Sequence, residues 1–241
     1  MRLGEDKKVC LLVIIGVTET GHKKVLAVEG GYRESAESWK IVFNSLINRG
    51  MTPPMLIIGD GALGLWKAVD QLPDMQHTKT QRCWVHKISN ILDKLPKRLQ
   101  PQAKKLLHDM MQAESEAQAE AVKEEFIEDF QDKYPKVTNC LTKDWQDLVT
   151  FFSFPAKHWL HIRTTNPIES TFATVKQRTR ATKGAGSVEM AETMALKLIL
   201  EAQKRWHRLR GFEELRYLVQ GGLYKDGILV DNLNEGKAVN G

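Results

Sequence analysis

Up to residue 92, short apolar runs alternate with helical stripes. The run "VCLLVIIGV", Val9–Val17, is apolar without alternation and rich in Val and Ile, which predicts a strand covered on both faces. After the Gly-containing turn "TETGHK", the run "KVLAVEG", Lys24–Gly30, predicts a second strand in hairpin relation to the first. Ser35–Asn48 sets Trp39, Val42, Phe43, Leu46 and Ile47 on one stripe, which predicts a helix. Pro53-Pro54 breaks the chain, "MLIIGDG" predicts a buried strand ending at Asp60, and Ala62–Val69 predicts another helix. Thr78–Val85 predicts a short strand running into a helix that lasts through Leu92. This alternation predicts an α/β core built on a mixed sheet.

From Pro96 the texture changes to Gln, Lys, Glu and Ala, and no strand pattern interrupts it before residue 155. Ser115 with Gln118 forms a capping-box pair, and Val122, Phe126 and Phe130 recur at helical spacing. Cys140–Phe152, with Trp145, Leu148, Val149 and Phe152, predicts one amphipathic helix. Beyond the insertion a helix is expected from Asn166 to about Arg180, then the loop "KGAGS", then a long helix from Ser187 to Leu209 closed by Gly211. Residues 221–241, rich in glycine and poor in apolar positions, are expected to be a mobile tail.

At 241 residues the chain can bury a substantial core. Its longest apolar run is too short to span a bilayer, and Cys10, Cys83 and Cys140 have no framework spacing; a cytoplasmic, nucleoid-associated protein in a reducing compartment is expected. The net charge of +5 is unevenly spread. Residues 61–112 carry nine Lys/Arg against four Asp/Glu and residues 151–210 eleven against four, whereas residues 113–150 hold four against ten. Two basic blocks around an acidic one favour a nucleic-acid partner, because neutralising phosphates releases counterions, over the alternative that Lys and Arg merely solvate helix faces.

The basic stretch "HIRTTNPIESTFATVKQRTR" keeps one carboxylate, Glu169, among Arg163, Lys176, Arg178 and Arg180. Asn166 as cap and Pro167 at the first position would make Glu169 a capping-box acid. Alternatively, Glu169 and Asp60 converge to hold divalent cations against a phosphodiester, with Lys176 and Arg180 sharing the Glu169 face to meet phosphates. Asp60 follows a buried strand, where open α/β sheets place their sites. "GDGALG", residues 59–64, also matches a dinucleotide fingerprint, with Arg82 at the end of the next strand suiting NADP at best. Cys83 and His86 have the spacing of a zinc half-site, but Cys10 and Cys140 lack partners to complete one, so a buried thiol and a hydrogen-bonded imidazole are expected. Trp84, Trp145, Trp159 and Trp206 are expected in the core.

"GYRESAESW" (Gly31–Trp39), "IIGDGALGLW" (Ile57–Trp66), "QRCWVHKISNIL" (Gln81–Leu92), "FFSFPAKHW" (Phe151–Trp159), "RTTNPIESTFATVKQRTRATKGAGS" (Arg163–Ser187) and "KRWHRLRG" (Lys204–Gly211) closely resemble the bacterial Mutator-type insertion-sequence transposases. The resemblance runs from about Arg2 to past Gly222. It implies a ribonuclease-H-like mixed sheet with flanking helices, an Asp, Asp, Glu triad, and an all-α insertion before the Glu. Asp60 then stands for the second Asp and Glu169 for the Glu, both as metal ligands, and Cys83 and His86 match the family's C-x-x-H motif. The implied cofactor is Mg²⁺ or Mn²⁺, two ions in the intact enzyme. The implied chemistry is water attack at transposon ends, then attack of the freed 3′-hydroxyl on target DNA. The implied partners are double-stranded DNA and further copies of the chain in the active complex.

Arg82, Lys87, Arg163, Lys176, Arg178, Arg180 and Lys183 are the expected DNA contacts. No residue here matches the first Asp, since Asp6 lies in a charged turn ahead of the first apolar run. The expectation is therefore a truncated transposase, lacking its first core strand and inactive alone, with a non-catalytic DNA-binding fragment or an NADP-dependent oxidoreductase as alternatives. The expected organisation is residues 1–95 as the first part of the catalytic core, 96–155 as the helical insertion, 156–212 as the second part of the core and 213–241 as a partly mobile extension.

Overall fold

A computed structural model of the chain describes residues 2–3, 7–8, 10–31, 34–165, 172–173, 175, 177 and 187–230. The described elements begin with strands β1 (Arg2–Leu3), β2 (Lys7–Lys8), β3 (Cys10–Val17) and β4 (Lys23–Gly31), helix α1 (Ala36–Asn48), strand β5 (Leu56–Gly59), helix α2 (Leu63–Gln71), strand β6 (Lys79–Arg82) and helix α3 (Trp84–Leu92). Helices α4 (Gln100–Gln112), α5 (Glu116–Phe130), α6 (Pro135–Thr142), α7 (Trp145–Val149), α8 (Trp159–Ile162), α9 (Val188–Gln203) and α10 (Leu215–Val219) follow, and strands β7 (Leu223–Lys225) and β8 (Ile228–Val230) close the series. The architecture is mixed α/β, with the described strands in four two-stranded sheets. The chain divides into two compact units: Met1–Ile57, Gly61–Lys79 and Asn166–Glu213 form one, and Ile58–Asp60, Thr80–Thr165 and Glu214–Gly241 the other.

In the first unit β3 and β4 form an antiparallel hairpin, in register from Cys10↔Gly31 to Val17↔Lys23, with a bulge between Ile14 and Ile15. The unbroken apolar run of β3 packs on both of its sides from Cys10 to Ile14. Cys10, Leu12 and Ile14 pack with Leu26 and Ala27 against Trp39, Val42, Phe43 and Leu46 of α1 and Leu65, Ala68 and Val69 of α2. Leu11 and Val13 pack with Val25 and Val28 against Ala195 and Ile199 of α9, with Val175 and Trp206. Covered on both sides, the strand has no polar face to alternate with. Helix α1 starts at Ser35, whose Oγ accepts the Ser38 N–H at 3.2 Å. Helix α9 also blocks the edge of β4: Glu192 Oε1 accepts the Gly30 N–H at 2.5 Å and Gln203 Oε1 the Val25 N–H at 2.7 Å.

Helix α9 ends at Gln203, six residues before the expected Leu209. The segment after it turns back onto the hairpin, where Leu209 N–H donates to Gly21 O at 2.8 Å and Arg208 Nε to Thr20 O at 2.9 Å. These contacts need a non-helical path.

The second unit is helical around the end of β6. Trp84, Ile88 and Ile91 of α3, Leu107 and Met110 of α4, Phe126 and Phe130 of α5, Leu141 of α6 and Leu148 of α7 are among its buried side chains. Each such apolar side chain is worth on the order of 1.5–3 kcal/mol relative to exposure. Helix α5 starts at Ser115, whose Oγ accepts the Gln118 N–H, while Gln118 Oε1 accepts from Glu114 rather than from Ser115 itself. The single helix expected over Cys140–Phe152 is two, α6 and α7, broken at Lys143–Asp144. The break lets the Asp144 carboxylate face inward, where it meets two cations.

The tail expected at 221–241 is, over Leu223–Val230, a β-hairpin. Asp226 (φ +48) and Gly227 (φ +78) make its turn, as the Asp-Gly dipeptide favours. Gly227 N–H donates to Phe152 O and Gly227 O accepts from Ala156 N–H, each at 3.1 Å, and Asp226 Oδ1 accepts the Glu116 N–H at the start of α5. The remainder of that expectation, 231–241, lies outside the described residues.

Candidate catalytic site

Strand β5 is the four-residue run Leu56–Gly59, and Asp60 follows it with an exposed side chain. Gly61 (φ +85) then turns the chain into α2 through a conformation that an L side chain rarely adopts. Gly64 serves a different purpose: a Cβ there would stand 2.9 Å from the carbonyl carbon of Ser35, so the glycine permits α2 to approach the start of α1. Close backbone packing thus accounts for the spacing of "GDGALG" without a dinucleotide.

Strand β6 leads into α3 through Cys83, which is fully buried. Its N–H donates to Gly59 O at 2.7 Å, and the next N–H, of Trp84, donates to Arg163 O at 2.9 Å. Cys83 Sγ accepts from Thr165 N–H and from Thr165 Oγ1, each at 3.3 Å. The same hydroxyl lies 3.4 Å from His86 Nδ1. Cys83 and His86 therefore do come together, on Thr165. Cys10, Cys83 and Cys140 are free thiols, and among the described residues no group of three or more His, Cys, Asp or Glu is arranged to hold a metal.

Arg82 and Lys87 have a different setting from the one expected of DNA contacts. Lys87 is fully buried with Nζ 2.6 Å from Asp144 Oδ2, and Arg82 NH1 lies 3.2 Å from the same oxygen. Burial pushes the Lys87 ammonium below the usual lysine range, and the hydrogen bond to Asp144 pulls it back in part. Both cations neutralise a carboxylate inside the unit, so a phosphate-binding role does not follow from their placement. Arg163 lies half-buried, its guanidinium 4.5 Å from the centre of the Phe151 ring and 4.9 Å from that of Trp159. Burial lowers its pKa to about 10, and it stays charged at neutral pH. Its Nε has no hydrogen-bond partner among the described residues.

Glu169, Lys176, Arg178, Arg180 and Lys183 lie outside the described residues. Three structural participants carried no signal strong enough to single them out in the sequence. Asp144 is one of many acids in an acidic block. Thr165 sits in "RTTNP" beside a more conspicuous Glu. Buried Gln81 bridges β6 to α7 and the turn after it: its Nε2 donates to Leu148 O at 3.0 Å and its Oε1 accepts the Phe151 N–H at 2.8 Å. Trp84, Trp145 and Trp159 are buried, and Trp206 is partly so, as core residues. No helix among the described residues is long and apolar enough to cross a membrane.

Residues 2–208 match the family described as Transposase, Mutator family. The chain is 44% identical over 227 residues to the transposase for insertion sequence element IS6120 of Mycolicibacterium smegmatis, covering 94% of this chain and 70% of that protein. It is 46% identical over 226 residues to the transposase for insertion sequence element IST2 of Acidithiobacillus ferrooxidans, covering 93% of this chain and 76% of that protein. A third relative, the transposase for insertion sequence element IS905 of Lactococcus lactis, is 31% identical over 180 residues, or 75% of this chain and 45% of that protein. With the family match spanning most of its length and two relatives this similar, the chain belongs to the Mutator family of transposases.

Proposed function

We propose that this chain belongs to the machinery of DNA cleavage and strand transfer of an insertion sequence, with Asp60 and Glu169 as two of the three acids of a ribonuclease-H-like, DDE-type site. Family membership supports the reaction class. The observation that carries the residue assignment is the placement of Asp60, an exposed carboxylate at the end of β5, on the far side of a glycine from α2. Hard carboxylate oxygens at a solvent-open strand end fit Mg²⁺ or Mn²⁺, which keep water and substrate oxygens in their coordination shell. Bound there with Glu169, such ions would activate water and stabilise charge on the attacking and leaving oxygens.

The chain's own residues then bind and orient the duplex. Arg163, held by two aromatic rings and charged at neutral pH, supplies a pre-oriented cation for a phosphate. Lys176, Arg178, Arg180 and Lys183 continue the positive charge along the sequence after Glu169 and position the DNA without reading its bases. Double-stranded transposon ends and target DNA are the substrates, and an assembly of several copies acts on them.

The test is nicking of duplex carrying the element's own ends, with Mg²⁺ or Mn²⁺, by the wild-type chain and by Asp60→Asn and Glu169→Gln. Cleavage by the wild type with its loss in both variants would support this reading and refute the expectation that the chain is inactive alone. Salt-sensitive binding with no cleavage would replace the enzyme by a DNA-binding fragment.

A further inference from the structure

The tip of the β3–β4 hairpin and the segment after α9 are built together. Thr18 N–H donates to His22 O at 2.9 Å and Gly21 N–H to Thr18 O at 2.7 Å, which closes the turn. Leu209 N–H bonds Gly21 O at 2.8 Å, and a Cβ at Gly21 would stand 2.5 Å from that of Phe212, so the segment lies directly on the turn. Within it Trp206 packs with Val25 and Val28 against α9, and Leu209 is buried. Around these two anchors Lys204, Arg205, His207, Arg208 and Arg210 are all exposed. Residues 204–210 hold four Lys/Arg and no Asp/Glu, and residues 18–24 add Lys23 and Lys24 against Glu19.

Cations at a helix end ordinarily offset the helix dipole or solvate the surface. Lys204, paired with Glu201 at 2.5 Å beside the last turn of α9, fits that use. Arg208 is held differently. Its Nε and NH2 donate to Thr20 O at 2.9 and 2.5 Å, and its guanidinium lies 3.5 Å from the centre of the Phe212 ring. A guanidinium has five N–H donors, and these bonds use one edge of the fork. Fixed in this way, it loses less side-chain entropy on meeting an anion than a loose surface cation does. Arg205 and Arg210 flank it in the sequence. Several guanidinium groups on one exposed, nearly acid-free turn suit a repeating phosphate backbone, whose oxygens a guanidinium fork meets two at a time.

We propose that this hairpin tip and residues 204–210 form a surface for the phosphate backbone of duplex DNA, with Arg205, Arg208 and Arg210 as its contacts. None of the three is among the DNA contacts expected from the sequence. The surface positions the duplex and does not read its bases. It goes beyond the cleavage reaction proposed above and needs only that the chain meets DNA, as membership of a transposase family implies.

The test is binding by the full chain, with EDTA present, of two fluorescein-labelled duplexes, one carrying the element's own ends and one of scrambled sequence. Fluorescence anisotropy is followed across a range of KCl concentrations. Each lost phosphate contact lowers the slope of log affinity against log salt by about 0.9, so Arg205→Ala/Arg210→Ala should lower it by about 2. The same pair should weaken binding about 10-fold or more near 0.1 M salt, equally on both duplexes. Arg205→Lys/Arg210→Lys keeps the charge and should restore the slope. Lys133→Ala/Lys136→Ala removes the same charge from exposed positions in the acidic block and should leave the slope as in the wild type.

An equal loss in the Lys133/Lys136 pair would make net charge the cause and overturn the proposal. So would a loss confined to the duplex with the element's ends, which is base reading, or no binding of either duplex by the wild type. Cleavage in Mg²⁺ by the wild type, with an unchanged slope in Arg205→Ala/Arg210→Ala, would keep the catalytic reading and remove this surface. A lowered slope with no cleavage by the wild type would keep this surface and remove that reading.

Discussion

Asp144→Asn removes a carboxylate that two buried cations share. Lys87 is fully buried and Arg82 nearly so, and both bond Asp144 Oδ2, at 2.6 and 3.2 Å. Attraction and desolvation nearly balance in such a cluster while it is intact, but deleting the carboxylate leaves the buried Lys87 ammonium without its ion-pair partner, at a cost of about 3–5 kcal/mol. For a chain of this length that loss lowers Tm by about 6–20 °C. The deficit also depends on pH in a definite direction. Lys87's folded pKa already lies below the unfolded value, and removing Asp144 takes away the contributions that raise it. The native variant therefore sheds this proton before the unfolded chain does, and its deficit relative to wild type shrinks as pH rises from neutrality toward the lysine range. Urea denaturation at several pH values gives the measurement, and Lys87→Met in the Asp144→Asn background should return part of the stability at neutral pH. A loss below about 1 kcal/mol, within the range of a surface pair, or a deficit that grows with pH, would refute the assignment of these two cations to the interior.

Three further predictions concern packing and titration. Gly64→Ala places a methyl 2.9 Å from backbone at Ser35 and should lose about 1–2 kcal/mol net of the helix propensity gained, seen as a lower urea midpoint; a more stable variant would contradict the close approach of α1 and α2. Gly227→Ala adds a Cβ 2.5 Å from that of Ala156 at a positive φ, and the cost of about 2–4 kcal/mol should release the terminal hairpin to protease at residues 223–230. Burial, then the Glu214 carboxylate, pushes the Tyr224 phenol up to about 12. Its contribution is present below the unfolded value and lost as pH rises through the folded one, so alkaline destabilisation between about 10 and 12 should be smaller in Tyr224→Phe.

Much of the fold was legible in the sequence because its signals are local. The unbroken β3 run, the Ser35 start of α1 and the strand-to-helix turn after Asp60 all lie within a few residues of their cause. What failed depends on distant partners. Nothing near Asp144 announces that α6 must stop so that its carboxylate can reach Lys87, and nothing near Gln203 announces that the chain must leave the helix to reach Gly21. The hairpin at residues 223–230 is a different case, since Asp226-Gly227 is a local turn signal outweighed by the glycine content around it. At the candidate site, the position of Asp60 and the pairing of Cys83 with His86 were legible. The inward placement of Arg82 and Lys87 was not, because a basic residue at a helix start gives no sign of which way it faces.

The most direct measurement of the central claim is iron-directed backbone cleavage: Fe²⁺ replaces Mg²⁺ on the full chain, and ascorbate with peroxide cuts the polypeptide beside the bound ion. Two cuts are predicted, one next to Asp60 and one next to Glu169, both suppressed by excess Mg²⁺ and both lost in Asp60→Asn. Cutting at only one of these positions, or at neither, would contradict a shared cation site and with it the assignment of the two acids.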